Sequence, residues 1–488
     1  MGQQGFDEVD LNRHYSSQRV FDITIWNQML SGGNTVRKRV AFALSEFFAL
    51  SASNLTLVWR AHAVAAYWDI LNQHAFGNFR QLLEAVALSP AMGDFLDILG
   101  SRREDPSTGR MPDENFAREI MQLFSIGLYE LEIDGTLKTS SGLPIETYSN
   151  DDVLGLARVF TGYNLDASGL QRVVNPVGVP PEIIPAEIVR RPMTANHLNW
   201  ERPGRQSEHS LSEKRFLGIV IPAGTDAPTS LRIALDHLFN HPNVGPFFGR
   251  QMIQRLVTSN PSPAYVRRVA ETFNNNGRGV RGDLMAVFKA ILLDPEAYTQ
   301  AGLNDFRFGK LREPAIRFIH FARTFGMNNS PSKQWINRDL SDPTTAIGQV
   351  PLRPPSVFNF FRPGYVLPNS VTAANNMVGP EFQMVNETTV ALNINMVNDF
   401  VAGEGAWLND LRPAYSAELA IAHDANALLD HLALLLTAGQ LRPGTREIIL
   451  PALNDLVVSA SSPDSVKLRR IHIAVALVMC SNDYLVQK

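Results

Sequence analysis

Pro112-Asp-Glu-Asn115-Phe-Ala-Arg118-Glu119-Ile-Met-Gln122-Leu-Phe-Ser-Ile-Gly127 reads as one helix with two unlike faces. Proline suits a first helical turn, where no N–H is needed. Asp113 and Glu114 place negative charge at the positive end of the helix dipole. Gly127 can take the left-handed conformation that closes a helix. Phe116, Ile120, Leu123 and Phe124 recur at helical spacing and form an apolar stripe. Asn115, Arg118, Glu119 and Gln122 lie three and four residues apart and share the opposite face. That face offers an acid or base in Glu119 and anion or hydroxyl binders in Asn115 and Arg118. It can equally be a polar clamp, with Glu114 pairing to Arg118 one turn on.

The helical period extends over most of the chain. Val36, Val40, Ala43, Leu44, Phe47 and Phe48 make a stripe over 35–50, and Glu46 sits within or beside it. A carboxylate there is costly without a partner. Helices are expected over 59–73, 78–88 and 91–99. The spacing predicts a hairpin or loop over 134–148, and then a helix capped by Ser149 and Asp152. Residues 164–214 are proline-rich and lack periodicity, which marks a long irregular insert with short strands. Helical texture returns at 229–240, 246–258, 264–274, 282–293 and 311–325. It continues at 380–397, 424–437, 445–458 and 465–480. The expected fold class is mainly α: a multi-helix globular bundle with an irregular insert and few short strands. The expected division is a core over 1–379 and a C-terminal helical part, 380–488, packed on it.

The chain has 488 residues, 45% hydrophobic and 19% charged, with a net charge of −4. That is an ordinary globular balance, and it argues against a nucleic-acid partner. The one cysteine, Cys480, excludes an internal disulfide framework and reads as a small buried hydrophobe. No signal peptide is visible over 1–10, and no apolar run reaches the length of a membrane span. P-loop, dinucleotide-binding and Gly-x-Ser-x-Gly patterns do not occur, nor does His-Glu-x-x-His. No metal site is expected, and the sequence names no cofactor.

Seven stretches carry a resemblance. They are Arg39-Val-Ala-Phe-Ala-Leu-Ser-Glu46; 112–127; Thr147-Tyr148 with Asp152-Val-Leu-Gly-Leu-Ala-Arg158-Val-Phe-Thr-Gly162; and Phe239-Asn-His-Pro-Asn-Val-Gly-Pro-Phe247. The others are Gly249-Arg-Gln-Met-Ile-Gln-Arg255-Leu-Val-Thr-Ser-Asn-Pro261, Lys310-Leu-Arg-Glu-Pro314 and Pro354-Pro-Ser-Val-Phe-Asn-Phe-Phe-Arg362-Pro-Gly364. In this order they resemble a bacterial family catalogued as domain of unknown function eighteen-hundred. The resemblance implies an exported protein, periplasmic or extracellular, encoded beside a sulfatase- or phosphatase-like protein that could be its partner. A cytoplasmic location is the alternative, since no signal is visible. Members of the family carry a further helical stretch before the Arg39 motif, and this chain begins close to that motif. The resemblance carries no established activity.

The leading expectation is a hydrolase acting on a polar or anionic small molecule or glycan, with Glu119 and Glu46 as catalytic candidates. If the two carboxyls converge, their separation decides between direct attack and water activation. Asn115, Arg118, Arg158, Arg353 and Arg362 are the substrate-binding candidates, because arginine grips carboxylate, sulfate or phosphate with two bonds. The bland alternative is buried arginine–carboxylate pairs, with Asp152, Glu313 and Glu381 as available partners. His197 and His209 are a weaker metal-binding pair. Phe358, Phe360, Phe361 and Tyr365 either line a groove or plug a core. A non-catalytic scaffold and a metal or redox enzyme are the competing classes.

Overall fold

The computed structural model describes residues 17–175, 181–202, 206–327, 339–404 and 411–488. The fold is mainly α, with two-stranded ribbons. It divides into two compact units. One comprises Met1–Phe21, Val36–Asn304 and Pro354–Asn359; the other comprises Asp22–Thr35, Asp305–Arg353 and Phe360–Lys488.

A helix that the sequence reading did not name, α1 (Gln18–Ser31), precedes α2 (Thr35–Phe47). In the first unit α3 (Arg60–His74), α4 (Phe79–Ala87), α5 (Pro90–Phe95) and α6 (Asn115–Gln122) follow. The ribbon of β1 (Thr139–Ser140) and β2 (Leu143–Pro144) leads to α7 (Asn150–Ala157). The insert holds β3 (Val173–Val174) paired with β4 (Glu182–Ile183), and short 3-10 turns. It ends in the hairpin of β5 (Lys214–Phe216) and β6 (Ile219–Ile221). Then come α8 (Ala227–Asn240), α9 (Val244–Leu256), α10 (Pro263–Asn274), α11 (Leu284–Leu292), α12 (Pro295–Tyr298) and α13 (Gln300–Asn304). Phenylalanines bind these helices together. Phe79 meets Phe248 at 4.9 Å and Phe273 at 5.4 Å, and Phe48 meets Phe124 at 5.4 Å, mostly edge to face or tilted.

The second unit contains β7 (Lys310–Leu311), α14 (Pro314–Thr324), α15 (Val371–Ala374), α16 (Glu387–Ala402) and α17 (Ser416–Ile421). It closes with α18 (Ala425–Thr437), α19 (Pro443–Asn454), α20 (Asp464–Cys480), α21 (Asn482–Leu485) and β8 (Val486–Gln487), which returns to pair with β7. Its aromatic core runs through Trp26, Phe318 and Phe400.

Three local expectations need correcting. The helix opened at Pro112 starts only at Asn115, because the Asp113 carboxylate accepts the Asn115 N–H at 2.9 Å and turns the chain there. The stretch 380–397 is split: a 3-10 turn over Pro380–Met384 ends before Asn386, whose side chain caps α16. Cys480 is half-buried at the end of α20 rather than fully buried.

Candidate functional site

Helix α6 carries the polar face read from the sequence. Phe116 plants one side against Phe160, rings 4.7 Å apart, and Ile120 and Met121 are buried beside it. After Gln122 the chain winds wider, with the Phe124 N–H reaching the Glu119 carbonyl and the Gly127 N–H reaching the Met121 carbonyl. Gly127 closes this turn at φ +73°, where a Cβ would lie 2.6 Å from the Phe247 ring. The stop residue is therefore right, although the regular helix ends earlier.

The four polar residues have different fates. The Asn115 amide donates to Asp97 at 3.0 Å. Arg118 pairs with Glu114 at 2.6 Å, the i,i+4 clamp, with both partners part-exposed. Gln122 accepts a hydrogen bond from the Tyr148 hydroxyl at 3.0 Å. Glu119 is 7% exposed, and its Oε2 has no hydrogen-bond partner among the described residues. Burial raises its pKa above the ordinary glutamate value, and the Arg118 charge offsets only part of that. Burial likewise raises the Tyr148 phenol; Arg118 opposes the shift, and Glu119 and Glu146 add to it. Glu119, Arg118 and Tyr148 thus sense one another's charge.

Glu46 is 2% exposed on α2, and its backbone carbonyl accepts from Arg255 at 3.2 Å and Asn359 at 2.7 Å. Arg39 donates to the Arg255 carbonyl at 2.5 Å. Arg353 and Arg362 belong to the second unit. Arg353 is buried, gripping Asp339 with two bonds of 2.8 Å and Asp22 at 2.6 Å. Arg362 is exposed, and its backbone N–H binds Gln383. Of the carboxylates named as arginine partners, Asp152 caps α7 and accepts the Leu217 N–H, and Glu313 and Glu381 flank the buried Lys310. Other arginines donate to carbonyls, as the half-buried Arg312 does to Leu436 and the buried Arg255 to Gln251. Phe361 is buried and Phe358 part-exposed.

Arg158 ends α7 in a different neighbourhood. Gly155 lets that helix lie directly on β5: a Cβ there would meet the Arg215 carbonyl oxygen at 1.6 Å. Gly162, at φ +81°, brings the following turn against the His209 backbone. Thr161 locks the two segments, since its hydroxyl accepts the Ser210 N–H at 2.8 Å and its carbonyl accepts from His209 Nδ1 at 2.9 Å. Burial lowers the His209 pKa, which favours the neutral ring. Arg158, Glu104 and Lys214 gather at this junction.

A family model described as "Protein of unknown function (DUF1800)" matches residues 8–486, nearly the whole chain. The chain belongs to the DUF1800 family. No curated protein and no solved structure matches it.

In this DUF1800 chain the stretches that carried the resemblance are structural joints as well as candidate chemistry. Gly155, Thr161 and Gly162 make the α7–β5 junction; Asn243 bridges the carbonyls of Ile126 and Tyr129. Tyr148, Glu104 and Lys214 escaped the search for functional residues. Tyr148 stood in the quoted Thr147-Tyr148 motif and could have been found there. Glu104 and Lys214 left no local signal, because neither sits on a periodic polar face. A cleft of about 580 Å³ lies between α3, α4 and residues 189–192, lined by His74, Glu84 and Arg190 among apolar groups. None of the sequence-named site residues lines it. Among the described residues no group of His, Cys, Asp and Glu is arranged to hold a metal ion, and no helix is long and apolar enough to cross a membrane.

Proposed function

We propose that this DUF1800 protein is a hydrolase of a polar or anionic substrate, a glycan being the class in view, with Glu119 as its proton-transfer group. The observation that carries the reading is a buried carboxyl with a free oxygen and a raised pKa, set beside a tyrosine hydroxyl and an arginine. A carboxyl whose pKa is raised can act as the acid that delivers a proton to a leaving oxygen. Tyr148 supplies the second titratable group, and Gln122 orients its hydroxyl. Arg118 and Asn115 stand on the same helix face to position the substrate. For Glu46, the second carboxyl read from the sequence, the described contacts are those of its backbone carbonyl with Arg255 and Asn359. Export to the periplasm or beyond, and a sulfatase- or phosphatase-like partner, rest on the family resemblance alone.

Screening the purified protein against glycans and against sulfate and phosphate esters, alongside Glu119→Gln and Tyr148→Phe, tests this. The Gln variant is expected to lose about 10²–10⁴-fold in kcat on any substrate that is turned over. Equal turnover by the two proteins would remove Glu119 from the mechanism.

A second reading is a non-catalytic binding protein. It is favoured by the sealing of Arg118, Asn115 and Arg353 in pairs with Glu114, Asp97 and Asp22–Asp339. Under that reading no substrate in the screen is consumed, and the protein co-purifies with a partner when the two are expressed together.

A further inference from the structure

The junction of α7 with β5 holds charges that do not cancel. Lys214 is fully buried, yet among the described residues its ammonium has one hydrogen bond, 3.3 Å to the Ser212 carbonyl. Arg158 sits near it, and the Arg158 Nε is buried without a hydrogen-bond partner. Glu104 is the carboxylate that senses Arg158 and is sensed by Lys214, but neither cation forms an ion pair with it among the described residues. One Glu104 oxygen is occupied: Ser210 donates to it at 2.9 Å, and Ser212 donates to the same atom. The other, Oε2, is buried and has no hydrogen-bond partner among the described residues.

Two cations and one carboxylate leave a net positive charge in a partly desolvated place, where uncompensated charge is costly. An anion held between them offsets it. The free carboxylate oxygen adds a condition, because an anion whose oxygens all repel it fits poorly. A ligand that carries anionic oxygens for Lys214 and Arg158, and a hydroxyl proton for Glu104, satisfies all three groups. The edge of the cluster is open, since Ser212 is exposed and Glu104 and Arg158 are half-buried.

We propose that Lys214, Arg158, Glu104, Ser210 and Ser212 form a binding site for a protonated oxyanion, with phosphate as its simplest member. Glu104 is the specificity element. Its carboxylate accepts the phosphate hydroxyl and rejects sulfate, which has no proton to give. Burial alone would raise the Glu104 pKa, but the Ser212 and Ser210 hydroxyls, a backbone N–H and the Arg158 charge hold it below the ordinary value, so it is ionised and ready to accept. The proposal does not depend on any role of Glu119 in turnover.

Calorimetric titration with inorganic phosphate and with sulfate tests this at about pH 6, where phosphate keeps a proton to donate. Phosphate is expected to bind at least about tenfold more tightly than sulfate. Arg158→Gln and Lys214→Met are each expected to weaken phosphate about tenfold, the loss of one charge-assisted contact. Glu104→Gln is expected to narrow the gap between the two anions, since an amide can donate to sulfate. Lys214 is buried and its variant can fail to fold, so circular dichroism accompanies each titration and the half-exposed Arg158 serves as the second test. Absence of phosphate binding, equal binding of the two anions by the wild type, or unchanged phosphate affinity in a folded Arg158→Gln protein would each overturn the proposal.

Discussion

A carboxyl group taken out of water either finds a cation or holds its proton, and this chain contains both solutions. At Glu119 burial raises the pKa above 4.5, the ordinary glutamate value, and so favours the protonated form. Asp339 finds a cation. Burial would raise its pKa too, but hydrogen bonds from Arg353 and Ser341 bring it below 3.8. The two contribute to stability with opposite sign. For Glu119 the folded state binds the proton more tightly than the unfolded chain does. Its contribution is therefore favourable at low pH and is lost as pH rises from about 4.5 through the raised value. For Asp339 the contribution is present above 3.8 and is lost as pH falls through the depressed value. Glu119→Gln is accordingly expected to gain Tm relative to the wild type as pH rises from 4 to 8, measured by thermal melts across that range. A difference that stays flat would show that Glu119 is ionised and solvated throughout. Glu119 and Arg118 were legible as candidates because helical spacing puts them on the polar face. Tyr148 stood in a quoted motif, but only the fold puts it on that face, which it reaches from 26 residues beyond Gln122.

At the scale of elements, ends set by neighbouring residues were readable and close approaches were not. Ser149 and Asp152 form the reciprocal capping box that their three-residue spacing announces, with Asp in the place of the usual Glu or Gln. The start of α6 was misread because an Asx turn at Asp113 competes with the proline signal at 112. Gly155 sits inside a helix, where glycine costs about 1 kcal/mol relative to alanine in isolation. Only the packed structure gives its reason, the Arg215 carbonyl pressed against the position of the missing Cβ. Gly155→Ala is therefore expected to destabilise by about 1–3 kcal/mol or more, despite its better helix propensity. It should also loosen the α7–β5 junction and weaken phosphate binding with it. Chemical denaturation measures the first effect, and a variant as stable as the wild type would contradict the close approach. Phe116→Ala is expected to cost about 3–5 kcal/mol by opening a cavity between α6 and Phe160.

For the molecule as a whole, two units with separate aromatic cores offer two places to break it. Lys310 is 4% exposed in the second unit, 3.0 Å from Glu381 and 3.6 Å from Glu313. Lys310→Met removes the ammonium that these two buried carboxylates face, a change expected to cost about 3–5 kcal/mol. Differential scanning calorimetry is expected to show that loss in one transition and the effect of Phe248→Ala in another. A single transition displaced by both would mean that the units unfold as one. The amino-acid pattern alone determined that the chain is mainly helical, because a 3.6-residue period with caps and glycine stops needs only near neighbours to be expressed. It also determined the irregular texture of 164–214 and the polar face of Pro112–Gly127. Tertiary structure decided which charges meet: Arg353 with Asp22, Lys310 with Glu381, Glu104 beside Arg158 and Lys214. Those partners are far apart along the chain or lie on unrelated elements, and burial makes their encounter count by removing the water that would otherwise screen them.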